Sequence, residues 1–136
     1  MTGPKTLLDT DILSAIMKRH PNTLNQARNY LATHAKLTFS LMTRYEVRRG
    51  LEAKNAAKQI AAFDRFCASN EVLPLTEPIV VRASEIYGDL HRRGRLIGDA
   101  DILIAATAIE HGASISTNNE AHFRRVPNLV VVNWLV

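Results

Sequence analysis

Ile97-Gly98-Asp99-Ala100-Asp101-Ile102-Leu103-Ile104-Ala105-Ala106-Thr107-Ala108-Ile109-Glu110-His111-Gly112 decides how the rest of the chain is read. Beyond its two acids the segment is apolar on nearly every face, which predicts a helix buried on several sides. Gly112 closes it. The adjoining stretches 113–117 and 129–132 are short and largely apolar, the pattern of parallel strands covered on both faces. Upstream, Thr6-Leu7-Leu8 reads as a buried strand ending at Asp9, residues 36–39 as a second, and Glu71-Val72-Leu73 as a third before Pro74. Helical stretches lie between them. The first runs over 11–19, with Asp11 as N-cap and a stop at His20-Pro21, and the next over about 23–32. Ser40 caps a helix carrying Tyr45, Glu46, Val47 and Leu51, and 55–68 continues helical with Ile60, Phe63 and Phe66 at helical spacing. A last one, about 78–93, ends at Gly94, suited to a left-handed C-terminal cap. Strands alternating with helices predict an α/β fold: a three-layer α/β/α sandwich with a central parallel sheet and right-handed crossovers. Such sheets bind ligands at the carboxyl ends of their strands.

The chain has 136 residues, enough for one domain (1–136) with one core, and no repeat, low-complexity tract or linker divides it. A composition 46% apolar and 22% charged excludes a disordered chain. No run approaches the roughly 18–20 apolar residues of a membrane span, so no membrane partner is expected. The stretch from Met1 to Lys5 meets Asp9 and Asp11 too soon to be a secretory signal. Cys67, the one cysteine, cannot form an internal disulfide, in keeping with a reducing, cytoplasmic setting. Seventeen Lys and Arg against thirteen Asp and Glu leave +4, a modest bias toward an anionic partner.

Asp9, Asp99, Asp101, Asn118 and Asn119 all fall just after strands or at helix starts, and Glu46 in the first turns after the second strand. Singly, each has an ordinary explanation. Asp9 and Asp11 suit a turn and a cap. Thr43-x-x-Glu46 fits a capping box. Asp99 suits the N-cap of the buried helix, with Asp101 complementing its dipole. Asn118-Asn119 suits a turn, since Asn tolerates positive φ. Together they say more. Two carboxylates about 4 Å apart repel by roughly 4 kcal/mol at an effective dielectric of 20, so a cluster of Asp9, Glu46 and Asp101 needs a compensating cation. Arginines could supply it, but a bound metal does so with fewer geometric demands. Hard carboxylate oxygens with an amide nearby suit Mg²⁺ or Mn²⁺ rather than zinc. Such an ion accepts a substrate phosphate and supports in-line attack on a phosphodiester. Arg44, Arg48, Arg49, Arg92, Arg93 and Arg95 flank these motifs and suit a nucleic-acid backbone, although each alone reads as a solvated charge.

These residues resemble a known family, the PIN-domain ribonucleases, and in particular VapC-type toxins of prokaryotic toxin–antitoxin pairs. The resemblance spans nearly the whole chain. It rests on Leu7-Leu8-Asp9-Thr10-Asp11-Ile12-Leu13, Thr43-Arg44-Tyr45-Glu46-Val47-Arg48-Arg49-Gly50, Ile97 to Ala106, Ser116-Thr117-Asn118-Asn119 and Asn133-Trp134. Each motif alone is weak; their order and spacing are strong. The resemblance implies that Asp9, Glu46 and Asp101 surround a divalent ion, Mg²⁺ or Mn²⁺, with Asp99 as a frequent extra acid. Asn119, beside Glu120, stands where some PIN domains carry a fourth acid, which puts a second metal in question. It further implies RNA substrates, tRNA among them, together with homodimers and a cognate VapB-type antitoxin; of the flanking arginines, Arg44, Arg48, Arg92 and Arg93 are the candidates to hold the RNA.

Two alternatives remain at this point. A haloacid-dehalogenase-like phosphatase also begins with Asp-x-Asp (Asp9-Thr10-Asp11) and has a late Gly-Asp (Gly98-Asp99). That family expects Thr or Val where this chain has Leu13, and no phosphate-binding lysine is evident. The other is a catalytically idle PIN-like domain that only binds RNA or protein. No P-loop, zinc cluster or Ser-His-Asp signature is present, and His20, His34, His91, His111 and His122 lack ligand spacing and read as surface or capping residues.

Overall fold

Three-residue strands carry the architecture. The structure, a computed structural model, describes residues 3–136; the leader reading made on Met1 to Lys5 thus falls partly on residues 1 and 2, outside the described residues. The elements run β1 (Thr6–Leu8), α1 (Thr10–Met17), α2 (Pro21–Leu31), β2 (Thr38–Ser40), α3 (Leu41–Ala53), α4 (Ala57–Ala68), β3 (Glu71–Leu73), α5 (Glu77–Arg92), α6 (Asp99–Glu110), β4 (Ser114–Ser116), α7 (Glu120–Phe123) and β5 (Val131–Val132). The strands form one sheet in the order β3-β2-β1-β4-β5, and every pair is parallel. No helix among the described residues is long and apolar enough to cross a membrane.

Side chains alternate across a strand, so Leu7 and Leu8, both fully buried, enter opposite cores. Leu7 packs with Ile115, Leu73 and residues of α5 and α6, together with Phe123 of α7. Leu8 packs with Phe39 and with Ile12, Leu13, Ala27, Val47 and Phe63 of α1 to α4. Two helical layers therefore sandwich the sheet, as the alternation of strands and helices predicts. The buried helix is α6: Ile102, Ile104, Ala105, Ala106, Thr107 and Ala108 are all inaccessible or nearly so. Its alanines let it sit close to its neighbours, of which α5 is the most extensive. Thr107 is tolerated there because its hydroxyl donates to the Leu103 carbonyl.

From β1 the chain steps outward through β2 to β3, then crosses by α5 and α6 to β4 on the other side of β1. The order of strands reverses between β1 and β4, which is where ligands bind in open parallel sheets. Asp9 follows β1 and Thr117 follows β4, so both stand at that reversal.

Several boundaries differ from the sequence reading, for local reasons. The N-cap of α1 is Asp9, not Asp11: Asp9 is extended (φ −71°, ψ 164°) and its carboxylate accepts from Thr10 N. Arg19 turns left-handed (φ 61°) after α1, and Pro21 opens α2 two residues earlier than the periodicity implies, because proline suits the first helical position. Asn55 (φ 53°) breaks the run into α3 and α4. The N-cap of α6 is Gly98, not Asp99. Asn119 has negative φ and precedes the short α7, so the Asn pair does not form a positive-φ turn. Gly94 and Gly112 are left-handed, as expected of their caps.

Replacing a fully buried side chain should show how much α6 contributes. Ile104→Ala is expected to lower stability by about 2–5 kcal/mol, whereas exposed Val80→Ala in α5 should change it by about 0.5 kcal/mol or less. Urea titrations of the two variants measure both.

Candidate active site

Asp9 is buried at the carboxyl end of the central strand, 6% exposed. One carboxylate oxygen accepts from Thr10 N (2.8 Å) and the other from the Thr117 hydroxyl (2.8 Å), so β1 and β4 are joined through this side chain. Capping α1 with Asp9 puts Thr10 at the first helical position. Its hydroxyl donates to Glu46 Oε1 at 2.6 Å and brings α3's acid to the same edge. The capping-box reading of Thr43-x-x-Glu46 is therefore incorrect. Ser40 caps α3 through Thr43 N, and Glu46, a turn further on, is committed to Thr10. Asp101 lies in the first turn of α6 and is half-buried; its ordinary ionisation is disfavoured first by burial and then by the Glu46 charge. Asp11 completes the group, accepting from Ile12 N and from Asn118 N in the segment after β4.

The electrostatics are those of carboxylates forced together. Asp9 is pushed up to about 7, chiefly by burial and then by the Asp11 charge; the bonds from Thr117 and Thr10 oppose this, and Asp101 adds to it. Asp11 is raised as well, mainly by burial. Among the described residues no lysine or arginine pairs with Asp9, Asp11 or Asp101. Arg49 reaches Glu46 at 3.6 Å and lies over the Tyr45 ring.

The other expected site residues stand apart. Asp99 is exposed on the first residue of α6, and the charges acting most strongly on Asp9 and Asp101 do not include it. Asn119 directs its amide to His122 Nδ1 (2.8 Å), and Glu120 bonds to Asn133 and Arg124. Arg44 and Arg48 are held by Asp64, with Arg48 also on Glu52, so these two tie α3 to α4. Arg93 pairs with Asp89, and exposed Arg92 lies over Gly88. Sequence reasoning missed Thr10, Thr117 and His122. Thr10 lies between Asp9 and Asp11 and Thr117 precedes Asn118-Asn119, and only the fold turns their hydroxyls onto carboxylates. His122 is no surface bystander: its Nδ1 is 3.8 Å from Asp101 Oδ2.

Among the described residues no three acidic, histidine or cysteine side chains already stand together tightly enough to hold an ion unaided. The donors nevertheless suit a hard divalent cation, being carboxylate oxygens with uncompensated charge. Magnesium commonly takes only one or two carboxylates and completes its shell with water and phosphate.

A family profile for the PIN domain matches residues 6–129. The chain belongs to the PIN-domain family. That assignment bears out the sequence resemblance and sets aside the phosphatase alternative. This PIN domain is 31% identical to "Ribonuclease VapC2" of Haemophilus influenzae, over 96% of this chain and 98% of the relative. It is 29% identical to "tRNA(fMet)-specific endonuclease VapC" of Shigella flexneri, again over 96% and 98%. The crystal structure of VapBC2 from Rickettsia felis, bound to a promoter DNA fragment, superposes with a TM-score of 0.83 at 28% identity, covering 95% of this chain and 98% of that one. PIN-domain nucleases are generally divalent-metal dependent.

The raised pKa of Asp9 has a stability consequence. Its folded value exceeds its unfolded one, so the folded state binds the proton more tightly and stability falls as pH rises from about 4 to about 7. Asp9→Asn removes that penalty. The amide still accepts from Thr10 N, and the Thr117 hydroxyl reverses its role. In chelator at pH 8 this variant should melt several degrees above the wild type, at roughly 3–5 °C per kcal/mol for a chain of this size. The gap should close toward pH 4, as scanning calorimetry at the two pH values would show.

Proposed function

We propose that this PIN domain is a Mg²⁺-dependent endoribonuclease that acts as the toxin of a VapBC-type pair. One observation carries the reading: carboxylates from β1's end, α3 and α6 meet at the reversal of strand order with no lysine or arginine on Asp9 or Asp101. Asp9 and Asp101 would hold the ion, with Asp99 and Asn119 as candidates at the rim. When bound, the cation lowers the pKa of an attacking water and offsets charge on the phosphodiester. Glu46 spends Oε1 on Thr10, while Oε2, 3.6 Å from Arg49 and short of a hydrogen bond to it, would orient an attacking water and take its proton. The water oxygen would bond to phosphorus as the P–O bond to the leaving ribose breaks, and the departing ribose oxygen takes up a proton from solvent. Thr10 and Thr117 hold Glu46 and Asp9 in place without joining the chemistry.

The names of the relatives support RNA as substrate, with tRNA a candidate, and the VapBC complexes among the solved structures support a VapB-type antitoxin as partner. Exposed Arg92 is the most available of the proposed RNA contacts, since Arg44, Arg48 and Arg93 carry protein partners. We further propose a homodimer acting in the cytoplasm.

Purified protein should cleave RNA with Mg²⁺ or Mn²⁺ and stop with EDTA. Asp101→Asn is expected to lose at least about a hundredfold, since even residues one step removed from a metal cost roughly 10–100-fold. Asp99→Asn should retain measurable cleavage, because Asp99 is exposed and caps nothing. The reverse ranking would overturn the assignment of the two acids. Expressed alone, the wild type should arrest growth and Glu46→Gln should relieve it, with the 5′ ends of cellular RNA mapping the target. Equal, harmless expression of both would favour the idle domain.

A further inference from the structure

We infer that His122 contacts the RNA backbone directly, donating its Nε2–H to a phosphate oxygen, and that Asn119 positions it to do so; this rests on the ribonuclease reading above. His122 Nδ1 stands 2.8 Å from Asn119 Nδ2 and 3.8 Å from Asp101 Oδ2. The second distance is beyond hydrogen-bond reach, so the amide and not the carboxylate sets the ring. An amide nitrogen only donates. With the Asn119 amide nitrogen turned to the ring, Nδ1 is the acceptor, and we place the ring proton on Nε2.

Asn119 is itself fixed. Its backbone N–H donates to Thr117 Oγ1 at 2.9 Å, and that hydroxyl donates to Asp9 Oδ2. An unbroken line of hydrogen bonds thus runs from Asp9 to the imidazole. From the other side, the next residue in the chain, Phe123, is fully buried and anchors α7 against the core. The ring is held at Nδ1, and its backbone by the neighbouring Phe123, while its side chain stays 43% exposed and Nε2 has no protein partner among the described residues. The result is a fixed N–H donor at the rim of a cluster that otherwise offers acceptors. A phosphodiester also offers only acceptors, so the acids alone give it no oriented contact. Arg49, the nearest cation to Glu46, is drawn to that carboxylate and to Tyr45.

Two measurements test this, neither of which requires the metal-loaded enzyme. Nitrogen-15 NMR of the imidazole in metal-free wild type should show the Nε2–H tautomer, and Asn119→Ala should mix the two tautomers. A wild type in the Nδ1–H form would overturn the assignment. Binding of bulk tRNA in EDTA, read by fluorescence anisotropy, is expected to weaken about tenfold in His122→Ala, the scale of one hydrogen bond to a charged group. His122→Gln, whose amide carries an N–H donor near the place of Nε2, should bind within about threefold of wild type, a loss smaller than one such bond. Melting curves identify any variant that fails to fold, and the Gln and Asn119 variants then carry the comparison. Equal binding by all variants, or Gln as weak as Ala, overturns the contact while leaving the ribonuclease reading intact. A wild type that neither binds nor cleaves RNA overturns both, whatever the tautomer.

Discussion

Thr117 donates its hydroxyl to Asp9 across the gap between β1 and β4, and the arrangement of the site follows from that bond. A carboxylate 6% exposed is costly to ionise, and the two donors it receives offset only part of the cost. Because Asp9 also caps α1, Thr10 is obliged to begin the helix with its hydroxyl free, and that hydroxyl takes Glu46 from α3. Thr117 in turn accepts from Asn119 N, which orients the amide that meets His122. Two neutral hydroxyls therefore organise acids that would otherwise repel one another apart.

Where the positive charge goes is as informative as where the acids meet. Arg44 and Arg48 bind Asp64 between α3 and α4, Arg82 binds Glu110 between α5 and α6, and Lys5 reaches Glu71 at the far end of the sheet. Pairs of this kind are largely screened by solvent, so they align helices more than they stabilise the fold. Among the described residues they leave Asp9, Asp11 and Asp101 without a lysine or arginine partner, and only Glu46 has one near it, Arg49 at 3.6 Å. A net charge of +4 is thus compatible with a site that is locally negative.

The rigidity behind that site comes from α6. A helix packed on most of its faces by Ile102, Ile104 and a run of alanines cannot shift without opening the core, so Asp101 in its first turn has a fixed origin. Burial of the helix body gives a rigid support for a half-buried carboxylate in its first turn.

Sequence alone determined the α/β sandwich, the parallel sheet and the acids worth watching, because those depend on short-range signals: apolar runs of strand length, the all-round apolar helix 99–110, and glycines at 94 and 112 where left-handed caps are needed. It placed Asp9, Glu46 and Asp101 at strand ends and helix starts for the same reason. It misread the caps at Asp11, Asp99 and Thr43, since an acid before a helix and one in its first turn look alike until the backbone shows which residue is extended. Thr10, Thr117 and His122 were illegible. Their contacts join residues 36 and 108 positions apart, or depend on a four-residue helix too short to have a periodicity. Only the strand order, which lays β4 beside β1, decides that a threonine after one strand bonds an aspartate after the other.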